Sequence, residues 1–128
     1  MRPAYRDKQL VVVNKHDLRF QHGDTVAFWS QELSCVLVKR VVAIPDDTVV
    51  IRDGKLYVNN RESDVFGDSC LISYAGILEN EISLQADEYV VLGDNLEESV
   101  DSRYAAVGVI TVADIYGRIS FPVAKPKK

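Results

Sequence analysis

The sequence is poor in the features that mark several classes of protein. It has only 2 cysteines, Cys35 and Cys70, too few for the disulfide framework of a small secreted scaffold. A single bridge between them stays open, because nothing in their spacing demands it. No apolar run approaches the ~18 residues that a transmembrane helix needs, and the charged residues soon after Met1 do not suit a signal peptide. These absences predict a soluble domain, with any membrane anchor lying upstream of Met1.

An excess of charge of one sign is also missing. The chain carries 15 Lys and Arg residues against 19 Asp and Glu residues, a net charge of -4. Such a balance provides no electrostatic basis for binding nucleic acid or anionic lipid. We expect no nucleic-acid partner, no bound metal and no cofactor.

Short segments rich in Val and Ile, separated by turn residues, dominate the chain. No window shows a helical period, so we predict an all-β (mainly β) fold, either a partly closed β-barrel or a sandwich of two sheets. The length of 128 residues suits one domain, 1–128, in which the more polar segment at about 60–86 forms a small cap or insertion. The predicted strands cover 10–13, 25–29, 35–43, 49–52, 55–59, 88–92 and parts of 108–121. Asp53-Gly54 predicts a type I′ hairpin turn.

Lys39 interrupts an apolar row on the third predicted strand. Alternate residues of a strand share a face, so Lys39 should lie beside Leu37, Val41 and Ala43. Arg40 would then lie on the opposite face. Burial lowers the pKa of a lysine, as a general base near neutral pH requires. The alternative is an edge lysine that reaches water, and the pattern alone favours this alternative.

A polar segment follows the strand predicted at 88–92. Gly93 and Asn95 permit tight turns there, and several Asp and Ser side chains can bond the backbone. Asp101 and Arg103 can pair if the segment is extended, and an exposed pair contributes only ~0–1 kcal/mol. Composition alone favours an ordinary turn-rich loop.

The order of these features resembles that of type I signal peptidases, serine proteases with a Ser/Lys dyad. That family has a Ser-Met-x-Pro-Thr box, a Gly-Asp pair, a Lys-Arg-Val box ending in Pro-Gly-Asp, a Gly-Asp-Asn-Arg-x-x-Ser-x-Asp-Ser-Arg box and a final Gly-Arg or Gly-Lys strand. This chain has matching residues in the same order at 1–4, 23–24, 38–47, 93–103 and 117–118. The long Gly-Asp-Asn…Asp-Ser-Arg string is the most specific part of the resemblance.

The resemblance implies a role for each matching residue. Lys39 would be the general base, and Ser99 the hydroxyl that orients it. The implied supporting ion pairs are Arg40 with Asp94 and Asp101 with Arg103. The substrate would be a preprotein or pilin segment, bound as an extended strand with small residues at the −1 and −3 positions of its cleavage site. The implied groove residues are Met1, Pro3, Leu10, Val12 and Leu37, with the strands around 10–13 and 35–43 as walls.

The resemblance also implies a location and an important departure. The domain would lie on the extracytoplasmic face of the cytoplasmic membrane, held by an upstream segment. The family's nucleophilic serine would stand directly before Met1, so we expect the 128-residue chain not to cleave a signal peptide. Ser34, ~16 Å along an extended strand from Lys39, and Ser102 are unconvincing replacements. Family residues Thr, Gly and Arg are replaced by Ala4, Asp46 and Leu96.

Two functions stay open at this point. The first is an active, membrane-anchored signal peptidase, which the presence of Lys39 and Ser99 favours. The second is a non-catalytic relative that acts as a chaperone or assembly factor for pilins, which the minimal cap and the three substitutions favour. Self-cleaving SOS repressors share the Ser-Met box and the lysine but lack the Gly-Asp-Asn…Asp-Ser-Arg string. The residue encoded directly before Met1 would separate the first two functions.

Overall fold

A computed structural model describes residues 11–13, 19–67 and 71–120, with the side chains of 11–13 and Ser120 excepted. Within these ranges the chain forms strands and two short 3-10 helices, Gly76–Glu79 and Val112–Asp114. In chain order the strands are β1 (Val11–Val13), β2 (Thr25–Ser30), β3 (Cys35–Ala43), β4 (Thr48–Arg52), β5 (Lys55–Val58), β6 (Arg61–Glu62), β7 (Ile82–Ser83), β8 (Glu88–Leu92), β9 (Ile110–Thr111) and β10 (Ile115–Ser120). None of the described residues lies in a helix with the length and hydropathy to cross a bilayer.

The strands form two antiparallel sheets, and the prediction of a mainly β fold is confirmed. The large sheet has the order β1-β10-β2-β3-β8-β9, and the small sheet has the order β6-β5-β4-β7. Neither sheet closes into a barrel. The chain therefore has an open arrangement in which β3 lies between β2 and β8 in the large sheet.

The hairpin of β4 and β5 forms where the sequence predicts it. Asp53 and Gly54 have φ angles of 54° and 78°, and a type I′ turn needs positive φ at both central residues. The segment assigned to a cap, 60–86, supplies β6 and β7, which are the two edge strands of the small sheet. The same segment also contains the 3-10 helix Gly76–Glu79, whose Leu78 is fully buried.

A β-bulge corrects the predicted face of β3. Arg40 and Val41 pair with Leu92 and Val91, but the register shifts before Ala43. A bulge inserts one residue and so interrupts the alternation of faces. Ala43 consequently packs in a different core cluster from Val41, and its predicted place beside Lys39 is wrong. The alternation holds only as far as Val41.

Only Cys35, one of the two cysteines, lies among the described residues. Cys35 is exposed at the start of β3 and is free. Cys70 lies outside the described residues. Because Cys35 is free, the structure contains no bridge between Cys35 and Cys70.

Candidate active site

Lys39 and Ser99 form a buried hydrogen-bonded pair. Lys39 lies near the middle of β3 with 7% of its surface exposed, and Ser99 is 6% exposed. The Lys39 Nζ donates to Ser99 Oγ at 3.0 Å, inside the range of about 2.6–3.2 Å expected for a base and its hydroxyl partner. The alternative of an edge lysine that reaches water is wrong, because this amine is buried.

Burial lowers the pKa of Lys39 below its ordinary value. Loss of hydration is the largest cause, since it disfavours the charged ammonium. The negative charge of Asp101 opposes the shift, the positive charge of Arg103 adds to it, and Asp94 opposes it. The net effect makes the neutral amine, which is the form that can accept a proton, more accessible than in a solvent-exposed lysine.

The pKa of Lys39 predicts a pH-dependent stability. Because the unfolded chain keeps the ordinary lysine pKa of 10.5, burial of the ammonium destabilises the fold fully below the folded pKa and not at all above 10.5. We expect Lys39→Met to raise the melting temperature at neutral pH, by an amount that shrinks as the pH rises. A ¹³Cε NMR titration of Lys39, referenced to the denatured chain, measures the folded pKa. Equal values in the two states would contradict burial of the amine.

Arg40 attaches the loop after β8 to the central strand. Its Nε and Nη2 donate to the two carboxylate oxygens of Asp94, both at 2.8 Å. Its Nη1 donates to the carbonyl oxygen of Gly23 at 2.9 Å. A two-point bond of this kind fixes orientation as well as distance. The predicted pair is present, and it holds the start of the segment that carries Ser99.

The Asp101–Arg103 pair is present, but it is not the exposed pair that the sequence predicts. The segment is a turn, and the two side chains are 0% and 1% exposed. Arg103 donates from Nε to Asp101 Oδ1 at 2.8 Å and from Nη2 to Asp101 Oδ2 at 3.0 Å. Its remaining acceptors are the carbonyl oxygens of Tyr74, Leu96 and Ser99. The guanidinium can be buried because these groups satisfy its donors.

Gly93 has a role that the sequence did not reveal. A Cβ at this position would lie 2.1 Å from Ser99 Oγ and 3.4 Å from Lys39 Nζ. Gly93 N also donates to Asp101 Oδ2 at 2.9 Å. The sequence suggested a turn residue, but Gly93 is not among the residues with positive φ. Glycine is needed here for space, because the Ser99 side chain occupies the volume of the missing Cβ.

The structure describes only part of the predicted groove. Met1, Pro3 and Leu10 lie outside the described residues, and for Val12 only the backbone is described, paired with Ile119. Leu37 lies half-buried on β3, two residues before Lys39. In the large sheet, β10 and β2 lie between β1 and β3. The two strands predicted as walls of the groove, β1 and β3, are therefore not neighbours.

Neither serine considered as a replacement nucleophile is suitably placed. Ser34 is exposed in the turn before β3, with φ of 53°. Ser102 is 0% exposed, and its Oγ accepts a hydrogen bond from Val91 N at 2.9 Å. Among the described residues, no group of three His, Cys, Asp or Glu side chains is placed to hold a metal ion.

Known proteins are similar to this chain in fold and in sequence. The family described as signal peptidase, peptidase S26, matches residues 1–124. Signal peptidase I P from Bacillus subtilis subsp. natto is 30% identical over 142 residues, covering 100% of this chain and 75% of that protein. Signal peptidase I V from Bacillus subtilis (strain 168) is 30% identical, with coverage of 94% and 78%. A crystal structure of a signal peptidase I from Enterococcus faecalis V583 aligns with a TM-score of 0.63 and 27% identity, covering 80% of this chain and 97% of that one. The chain therefore belongs to the signal peptidase I family of serine peptidases, peptidase family S26.

Proposed function

We propose that this chain is the catalytic domain of a signal peptidase that cleaves preproteins after small residues at the −1 and −3 positions. The observation that carries this proposal is the buried Lys39 amine, which lies 3.0 Å from Ser99 Oγ. A lysine with a lowered pKa can act as a general base near neutral pH. In this mechanism Ser99 orients the amine, and Lys39 takes the proton from the attacking serine hydroxyl.

The proposed nucleophile is a serine directly before Met1, by the resemblance of residues 1–4 to the Ser-Met-x-Pro-Thr box. Lys39 would receive its proton and later pass a proton to the leaving amine, as the base does in other serine proteases. Donors near that serine would stabilise the oxyanion of the tetrahedral intermediate. An upstream segment would hold the domain at the extracytoplasmic face of the membrane.

The edge of β3 supports the binding of an extended substrate. From Cys35 to Arg40 this strand pairs with β2, but its pairing with β8 begins only at Arg40. Among the described residues, the second edge of positions 35–39 therefore has no strand beside it. An extended peptide can add to such an edge through main-chain hydrogen bonds, with alternate side chains directed into pockets. Leu37 would contact the small substrate residues beside Lys39.

Cleavage of a preprotein with an Ala-x-Ala site tests this function. We compare the 128-residue chain with a longer chain that includes the natural upstream residues. The longer chain should cleave, and Lys39→Ala in it should lower kcat by about 10⁴-fold, as loss of a triad member does in other serine proteases. Lys55→Ala, at a side chain that is 43% exposed on the small sheet, is the matched control and should leave kcat unchanged.

Two other outcomes would reject parts of the proposal. Cleavage by the 128-residue chain, abolished by Lys39→Ala, would show that another residue is the nucleophile. Binding of an Ala-x-Ala peptide or a pilin segment without cleavage by the longer chain would favour the second candidate, a pilin assembly factor. The open edge of β3 supports that second candidate equally, because strand addition requires no nucleophile. Failure of both chains to bind an Ala-x-Ala peptide would reject the groove itself.

A further inference from the structure

His22 joins the loop before β2 to the connection between the two sheets. Its Nε2 lies 2.7 Å from Asp47 Oδ2. The same carboxylate accepts from Ile44 N at 3.0 Å and from Asn59 Nδ2 at 2.9 Å. Asp47 stands between β3 and β4, and Asn59 follows β5. One carboxylate therefore links three segments of the chain, of which the His22 loop is one.

The ionisation state of Asp47 determines which residue donates the hydrogen bond between Asp47 and His22. Burial alone would raise the pKa of Asp47, but hydrogen bonds from Ile44, Asn59 and His22 outweigh it and lower the pKa. Asp47 is therefore ionised over the neutral range and has no proton to donate. His22 Nε2 must carry the hydrogen of this bond. The Asp47 side chain is 10% exposed, whereas the His22 side chain is 43% exposed.

The residue after His22 is bonded to the supports of the Lys39–Ser99 pair. Gly23 N donates to the Val41 carbonyl at 2.8 Å, and Gly23 O accepts from Arg40 Nη1 at 2.9 Å. The other guanidinium nitrogens of Arg40 hold Asp94, at the start of the Ser99 segment. A displacement of the His22 loop must therefore either break these bonds or move Arg40 and Asp94 with it.

We propose that His22 is a pH-responsive positioning residue, which acts on the Lys39–Ser99 pair through Gly23, Arg40 and Asp94. An imidazole gains its second proton between about pH 8 and pH 5. The hydrogen bond to Asp47 then becomes a charge-assisted one, which is shorter and stronger. Protonation should therefore hold the loop more firmly against β3 and draw Arg40 with it. Of this inference, only the catalytic role of the Lys39–Ser99 pair rests on the proposed function.

Other charged groups share the surroundings of His22. Arg61, Glu62 and Asp64 line the same cavity as His22, on the side of the small sheet. Asp24 lies on the same loop, with its carboxylate 3.9 Å from Arg118 Nη1. Arg61 places a positive charge near His22, and Glu62, Asp64 and Asp24 place negative charges there. Asp47 is the carboxylate that is hydrogen-bonded to the ring.

An NMR titration of backbone amides from pH 5 to 8 tests this inference on the 128-residue chain. The titration is run on the unchanged chain and again in a Lys39→Met background, which separates the titration of Lys39 from that of His22. We expect the amide signals of Gly23, Asp94 and Ser99 to shift with the midpoint of the His22 ring. His22→Gln keeps a neutral donor but should abolish these shifts. The matched control is His16→Gln at the other of the 2 histidines, which should leave them in place.

A second control separates positioning from general support of Asp47. Asn59→Ala removes the other side-chain donor to this carboxylate without touching the His22 loop, so the three amide shifts should survive. Shifts that persist in His22→Gln, or that vanish in Asn59→Ala as well, would overturn the inference. The readout is independent of cleavage, so an inactive longer chain would reject the proposed function and leave this result standing.

Discussion

Asp101→Ala should lower the free energy of unfolding by about 3–5 kcal/mol, the usual cost of removing one partner of a buried ion pair. The Arg103 guanidinium is 1% exposed and would lose the only carboxylate bonded to it in the described part of the chain. Gly93 N would also lose its acceptor. Since small domains are stable by only ~5–15 kcal/mol, this single change threatens the fold. Urea denaturation with an unchanged m-value measures the loss.

The other predicted ion pair provides the matched control. Arg40 and Asp94 are each 26% exposed, and Asp94→Ala should cost only ~0–1 kcal/mol. Asp101→Asn keeps an oxygen acceptor for Arg103 and Gly93 N but removes the charge, so it should lose less stability than Asp101→Ala. Equal losses in Asp101→Ala and Asp94→Ala would show that burial does not distinguish the two pairs.

Gly93→Ala should break the hydrogen bond between Lys39 and Ser99. The new methyl group would lie 2.1 Å from Ser99 Oγ and 2.5 Å from Ser99 Cβ, distances at which one of the groups must move. Overpacking of this kind costs about 1–3 kcal/mol. Displacement of Ser99 would also leave the Lys39 amine without its acceptor. We expect a lower melting temperature, a shifted ¹³Cε signal for Lys39 and, in the longer chain, a large loss of kcat.

A second substitution tests whether the clash is with Ser99. Ser99→Gly removes both atoms that the methyl group would meet, so the double variant Gly93→Ala with Ser99→Gly should regain stability. It should not regain kcat, because the hydroxyl proposed to orient Lys39 is gone. Losses of stability that simply add in the double variant would place the clash elsewhere.

The features that the sequence predicts well are local ones. The Val-rich segments at 35–43 and 88–92 became β3 and β8 with the predicted bounds, because β-branched runs between turn residues suit strands. Asp53-Gly54 fixes its hairpin through backbone geometry alone. The pairing of Lys39 with Ser99 followed from the family resemblance, because the strand pattern by itself favoured an exposed lysine.

The features that the sequence does not predict depend on distant parts of the chain. Burial of Arg103 is possible because carbonyl groups near Tyr74 and Leu96 converge on it, and no local pattern reveals that convergence. The bulge before Ala43 is set by pairing with β8. The crowding of Gly93 by Ser99 is a contact within a folded turn, so a glycine that suggested a tight turn proved to provide space.

The place of β10 in the large sheet governs the order in which the chain can fold during synthesis. β10 pairs with both β1 and β2, with Val11 opposite Ser120 and Ala27 opposite Gly117. The hairpins β2–β3 and β4–β5 join neighbouring segments and can form while the chain is still being made. β1 must wait for β10, and until then one edge of β2 is bare. Such long-range pairing is slow, and the bare edge of β2 is open to aggregation until β10 has paired with it.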